Sequence, residues 1–188
     1  MQEEFLFAGF GGQGVMFAGQ LLAYAAMDEG LEVTWIPSYG PEMRGGTAHC
    51  YVVISDKPIG SPIVKHPKVV IVFNYPSFER YAPEVAPGGL LALNASLITQ
   101  RSHRTDITEL PVPATELADE LGNLRLANVI MLGAVLAVRP VLSLDAMRHA
   151  LENHIPEHRR DMLSANLEAL ERGADFAASL VSAGAGAV

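Results

Sequence analysis

The sequence predicts an α/β protein: a Rossmann-like open, mainly parallel sheet with helices on both faces and a helical C-terminal region. Three observations lead there. A short apolar run, Phe5 to Ala8, stops in the glycine-dense stretch Gly9-Phe10-Gly11-Gly12-Gln13-Gly14 and passes into a segment of helical spacing. Two further apolar runs, Val69 to Asn74 and Leu90 to Asn94, have the continuous character of strands buried on both faces. From Thr115 onward the periodicity is helical throughout. Strands that alternate with helices fold into a mainly parallel sheet, whose ligands bind at the carboxyl ends of the strands beside a topological switch point.

Each element has its own justification. Gln13 to Glu29 carries a broad apolar face of Val15, Met16, Ala18, Gly19, Leu22, Ala23 and Ala26, so it reads as a helix. Glu32 to Ile36 reads as the second strand. Pro37 to Ala48 is too rich in Gly and Pro for helix or regular strand and reads as a loop. His49 to Ser55 alternates and branches like a strand, and Asp56 to Gly60 turns the chain. After Val69 to Asn74, Tyr75 to Val85 reads as a short helix broken at Pro83 and Pro87, and Gly88-Gly89 leads into Leu90 to Asn94. Ile107 to Val112 is a further strand, ended by Pro111 and Pro113. Thr115 to Leu121, Leu126 to Val138, Leu144 to Asn153 and Glu157 to Leu180 read as helices, with breaks at Arg139-Pro140 and Ile155-Pro156. Residues 1–181 are expected to form one domain, with 182–188 a disordered small-residue tail.

Composition excludes several classes. A chain of 188 residues with 49% hydrophobic and only 18% charged residues suggests apolar surface covered by another chain. The formal net charge of -8 and the lack of a basic run argue against nucleic-acid binding, because counterion release needs clustered Lys and Arg. Arg159 and Arg160 stand beside Glu157 and Asp161 and read as a solvated helix face. Cys50 is the only cysteine, so an intrachain disulfide, a cysteine-ligated iron–sulfur cluster or a zinc ribbon within the chain is excluded. A reducing, cytoplasmic location is expected, with Cys50 a buried, inert thiol in its apolar strand. Acidic Glu3 and Glu4 stand where a secretory leader would be basic. The most apolar helix, Val129 to Val138, has about half the ~20 residues of a membrane span. His149, His154 and His158 straddle Pro156 and match no standard metal-ligand spacing. His49, His66 and His103 are scattered.

Two motifs carry chemistry. Gly9, Gly11 and Gly14 satisfy G-x-G-x-x-G, and Gly12 removes one more Cβ from the turn. Backbone N–H groups at the start of the following helix would point into that turn, where an anion accepts from them and feels the helix dipole. The acidic residue that holds a ribose about 20 positions on in dinucleotide sites is missing: the tip of the second strand reads Pro37-Ser38-Tyr39, and the first carboxylate after it is Glu42. Ordinary NAD or FAD binding is disfavoured. The second motif is Pro37 to Ala48, where Arg44 before Gly45-Gly46 presents a planar fork to a phosphate or carboxylate while the glycines let another backbone approach. The alternative is a rigid surface loop in which Arg44 pairs with Glu42 or water.

GFGGQGV at Gly9 to Val15, PSYGPEMRGGTA at Pro37 to Ala48, YVVISDKPIGSP at Tyr51 to Pro62 and NVIMLGA at Asn128 to Ala134 occur in an order and spacing that resembles the gamma subunit, or gamma domain, of 2-oxoacid:ferredoxin oxidoreductases. The resemblance spans nearly the whole chain. It departs at Lys68, where the family often has Asp, and at Thr47, which keeps the hydroxyl of the Ser that often follows Arg-Gly-Gly. The resemblance implies a complex that decarboxylates a 2-oxoacid oxidatively with coenzyme A, giving acyl-CoA, CO2 and reduced ferredoxin. It also implies that the isolated chain is inactive, for no thiamine-type GDG motif is present. Thiamine diphosphate and Mg2+ would be held by alpha and beta subunits, and iron–sulfur clusters by a ferredoxin-like delta subunit or ferredoxin.

The same resemblance places no tightly bound cofactor on this chain and suggests that it helps accommodate coenzyme A. In that picture the diphosphate suits the Gly11 to Gly14 loop, which Gly9 opens, with the N–H groups of Gly12, Gln13 and Gly14 as donors. Ser38 and Thr47 add hydroxyls, Arg44 adds charge beside Gly45 and Gly46, and Asn128 orients a loop; Asn128 as a packing or helix N-terminal residue is the alternative. Pyruvate, 2-oxoglutarate and 2-oxoisovalerate all fit the family, and a separate short gamma chain favours the last two. Two other readings stay open: a purely structural interface module, and a free-standing dinucleotide oxidoreductase. The second is poorly served, since Tyr39 lacks a Lys four positions later, where Met43 stands.

Overall fold

The computed structural model describes residues 1–39 and 47–184. Its centre is a sheet of six strands in the order β2-β3-β1-β4-β5-β6, formed by β1 (Gln2–Phe10), β2 (Glu32–Tyr39), β3 (Thr47–Ser55), β4 (Val69–Val72), β5 (Leu90–Asn94) and β6 (Thr108–Val112). β1, β4, β5 and β6 pair in parallel. β3 lies between β1 and β2 and is antiparallel to both. The mainly parallel expectation holds, with β3 as the one reversed strand.

Pairing explains where the loop reading of Pro37 to Ala48 was too wide. Pro37, Ser38 and Tyr39 continue β2 opposite Cys50, His49 and Ala48, and Thr47 and Ala48 already belong to β3. Local composition favoured a loop, but ladder bonds to β3 override it. Both edge strands carry a proline, Pro37 in β2 and Pro111 in β6. An edge strand tolerates the missing N–H, and the proline discourages pairing with another chain.

Side-chain alternation splits the core into two layers. Phe5, Phe7, Val52, Ile54, Val69 and Ile71 face one side, where α1 (Val15–Asp28), α3 (Ala114–Glu120), α4 (Ala127–Val138), α5 (Leu144–His154) and α6 (Leu163–Gly184) cover them. Leu6, Ala8, Val70, Val72, Leu91 and Leu93 face the other, under α2 (Tyr75–Tyr81), Val85 and Ile98. Helices lie on both faces, but five of them crowd onto one. Each fully buried Phe or Leu contributes about 1.5–3 kcal/mol.

α4 is buried from Asn128 to Leu136 and, Asn128 apart, is apolar all round, as a central helix must be. Its contact with α6 is set by two glycines. A Cβ on Gly133 would overlap the Leu170 carbonyl, and one on Gly173 would overlap the Ile130 carbonyl. The two backbones therefore approach each other at reciprocal notches.

The helix expected over Glu157 to Leu180 begins differently. Glu157–Met162 is a 3-10 segment with no buried residue, since this polar run has no apolar face to hold an α-turn against the core. α6 then continues to Gly184, so the first three residues of the expected tail are helical; 185–188 lie outside the described residues. Lys68 sits at the amino end of the sheet, where it donates to the Gln2 carbonyl and lies 3.9 Å from Glu3 and 3.8 Å from Glu4. Arg139 bonds Glu3 at 3.2 Å from the other side.

Candidate functional site

The glycine turn closes β1 and opens α1 with no side-chain cap and no acidic residue in the first helical turn. Gly12 has φ +99° and Gly14 φ +75°, left-handed values that glycine adopts without strain. Among the described residues no acceptor takes the N–H groups of Gly11, Gly12, Gly14, Val15, Met16 or Phe17. A 14-residue helix thus presents its positive end uncapped.

Those groups line a cavity of about 770 Å³, within the usual range for a small-molecule site. One wall is the glycine turn with Thr47 and Ala48 at the start of β3; the opposite wall is built by the C-terminal half of the chain. Asn128, at the start of α4, joins the walls: its Nδ2 donates to the Gly14 carbonyl at 3.0 Å and its Oδ1 accepts from Val129 N–H at 2.8 Å. Gly14 must be glycine on two counts, since a Cβ there would overlap the Asn128 amide as well as strain the backbone. Arg125, His158 and Arg159 stand exposed at the rim, with Asp161 the one carboxylate among the described lining residues. Within an acidic chain this is a local concentration of positive charge, and neither arginine makes an ion pair among the described residues. The arrangement can hold a multiply charged anion carried by a larger molecule.

Of the residues singled out in the sequence, Gly11, Gly12, Gly14, Thr47 and Asn128 meet at this cavity. Gly9 and Gln13 do not line it. Gln13 N–H donates to the Phe10 carbonyl at 3.2 Å, so it is taken within the turn. Ser38 sits in β2 opposite His49 and does not line the cavity. Arg44, Gly45 and Gly46 lie outside the described residues.

The family described as pyruvate ferredoxin/flavodoxin oxidoreductase matches residues 4–176. The chain belongs to this family. Among its relatives, ketoisovalerate oxidoreductase subunit VorA of Methanothermobacter marburgensis is 41% identical over 171 residues, covering 90% of this chain and 35% of VorA. The chain therefore spans about a third of that relative's length. 2-Oxoglutarate synthase subunit KorC of Methanocaldococcus jannaschii is 33% identical over 183 residues, 96% of either chain. The crystal structure of the keto/oxoacid ferredoxin oxidoreductase gamma subunit from Geobacter sulfurreducens superposes with a TM-score of 0.83 at 26% identity, covering 95% of this chain and 98% of that one. The gamma-subunit resemblance of the sequence motifs and the α/β fold both hold.

In this member of the family the rim residues Arg125, His158 and Arg159 escape a motif-by-motif reading. They follow no local signature, and Arg159 resembles an ordinary solvated residue until the 3-10 segment brings it over the glycine turn. Asn128 carried the one available signal, through NVIMLGA.

Cys50 is buried in β3 against α1, with its Sγ 3.7 Å from the Val15 carbonyl and closed off by Gly19 of α1, where any Cβ would overlap the sulfur. Burial raises its pKa to about 12, against a smaller opposing influence of the neighbouring Trp35 indole. The folded chain should resist iodoacetamide at pH 8 and react only after denaturation; rapid alkylation of the native protein would contradict this. The linkage has a definite sign. The unfolded thiol releases its proton near 9.0 while the folded one keeps it to about 12, so stability is lost as pH rises through that interval. Cys50→Ala should flatten the fall of Tm with pH above 9.0.

Proposed function

We propose that the chain is the gamma subunit of a 2-oxoacid oxidoreductase complex and that its glycine-turn cavity takes the diphosphate of coenzyme A. The observation that carries the reading is the uncapped start of α1 facing two unpaired rim guanidiniums across one cavity. Gly11, Gly12 and Gly14 with the first turn of α1 donate backbone N–H groups, Thr47 adds a hydroxyl, and Arg125 and Arg159 supply charge. Asn128 holds the turn by its Gly14 bond. Arg44, Gly45 and Gly46, between β2 and β3 in the sequence, would add charge and a close backbone approach to the same anion.

The complex would convert a 2-oxoacid and coenzyme A to acyl-CoA and CO2 and pass two electrons to ferredoxin. Its relatives' names point to 2-oxoisovalerate or 2-oxoglutarate as substrate. A lone thiol that keeps its proton to about 12 does not suit a cluster ligand, so the iron–sulfur clusters are assigned to a delta partner or ferredoxin. Thiamine diphosphate and Mg2+ are assigned to alpha and beta partners. Among the described residues no helix is long and apolar enough to cross a membrane, and a cytoplasmic complex fits this chemistry. Ile63, 78% exposed, and Ile36 and Tyr75, each 40% exposed, offer apolar contact to those partners, so an interface role accompanies the ligand role.

Calorimetric titration of coenzyme A into the complex tests the reading. Arg125→Ala and Arg159→Ala should each weaken binding about tenfold, or about 1.4 kcal/mol, with the KM for the oxoacid unchanged. Unchanged affinity in both variants would leave the chain a scaffold.

A further inference from the structure

We infer that Gln13 is a positioning residue, whose side chain fastens the glycine turn to the end of β4 and so aims the free N–H groups of the turn and of α1 at the bound anion. The inference rests on reading the cavity as a coenzyme A diphosphate site. In an open α/β sheet the ligand crevice forms where successive connections leave a strand in opposite directions. Here that point lies between β1 and β4, because the chain leaves β1 for β2 on one side and returns to β4 on the other. Gln13 fills it. Its Oε1 accepts from Phe10 N–H at 2.7 Å and from Asn74 Nδ2 at 3.1 Å, and its Nε2 donates to the Phe73 carbonyl at 3.3 Å.

The orientation of this amide is determined by its partners. Asn74 Oδ1 is committed to Ser77 N–H at 2.9 Å, capping α2, so its Nδ2 points at Gln13. Gln13 thus meets two donors on one side and a carbonyl on the other, and only one amide orientation satisfies all three. Gly9 makes room, since a Cβ there would stand 2.6 Å from Gln13 Oε1.

The need for such an anchor follows from the composition of the turn. Gly11, Gly12 and Gly14 have no side chains, and the left-handed values at Gly12 and Gly14 flank Gln13 on both sides. A glycine run is free to wander, and ordering it on binding would cost affinity. Gln13 is the only side chain between Phe10 and Val15, and it removes that freedom before the ligand arrives.

The test uses the assembled complex, with coenzyme A binding, kcat, oxoacid KM and Tm measured on Gln13→Ala, Gln13→Met and Asn74→Asp. Methionine keeps the volume without the hydrogen bonds. Aspartate keeps the α2 cap but loses the donor to Gln13, and carries the test if the Gln13 variants do not assemble. Gln13→Ala and Gln13→Met should each weaken coenzyme A binding about tenfold, with kcat at saturating coenzyme A and the oxoacid KM within about twofold of wild type. Asn74→Asp should weaken binding in the same direction by about threefold. Wild-type affinity in Gln13→Met, or a fall in kcat with affinity unchanged, would overturn the inference. Arg125→Ala separates the two ideas. If it weakens binding while Gln13→Met does not, the anchor is wrong and the site stands; if neither does, both fall.

Discussion

Gly173→Ala should destabilise the protein by about 4 kcal/mol, near the upper end of single substitutions. The added methyl would overlap the Ile130 carbonyl and lie 3.0 Å from Ala134 N. Backbone atoms cannot rotate away as a side-chain end can, so α6 must lift from α4. That helix pair joins the C-terminal half to the sheet, with Ala169, Leu170 and Ala177 of α6 buried in the same layer as Val129 to Leu136. For a chain of 188 residues the loss corresponds to a Tm drop of about 10 °C. Gly133→Ala meets Leu170 in the same way and should behave alike. Gly60→Ala, with nothing within 4 Å of the added carbon, is the control and should change stability by less than about 0.5 kcal/mol. Equal melting temperatures for Gly173→Ala and Gly60→Ala would show that the α4–α6 contact is looser than described.

Gly14→Ala should affect the ligand site most. A left-handed backbone costs an ordinary L-residue about 1–2 kcal/mol. The new Cβ would also drive the Asn128 amide off the Gly14 carbonyl, leaving a buried polar group without its partner at a cost of about 1–3 kcal/mol. We expect a loss of about 3 kcal/mol in stability and at least about a hundredfold in coenzyme A affinity, because the turn and α4 would separate at the proposed anion site. The cause is checked by a double-mutant cycle. Asn128→Ala removes the obstructing amide, so Gly14→Ala/Asn128→Ala should be less destabilised than the sum of the single variants. Strict additivity would mean that the two residues do not meet.

The sheet was largely legible in the sequence because its strands are long apolar runs bounded by glycine and proline. Phe5 to Ala8, Val69 to Val72 and Leu90 to Asn94 are buried as their composition predicts. What local composition missed depends on distant partners. Pro37-Ser38-Tyr39 is strand only because β3 pairs beside it, and the reversed direction of β3 shows only in its antiparallel pairing with β2 and β1. The site divides along the same line. Gly11, Gly12, Gly14, Thr47 and Asn128 announced themselves through motifs, whereas Arg125 and Arg159 reach the cavity by tertiary packing of segments with no signature of their own. The motif alone suggests a backbone donor at Gln13. Its N–H is in fact taken by Phe10, and its side chain holds the turn.

A cryo-EM map of the complex with coenzyme A bound tests the central claim most directly. Diphosphate density should lie within hydrogen-bond distance of the backbone N–H groups of Gly12, Gly14 and Val15, with the Arg125 and Arg159 guanidiniums turned toward it. Coenzyme A resolved elsewhere, with the cavity between the glycine turn and the 157–162 segment filled by a partner's side chains, would contradict it.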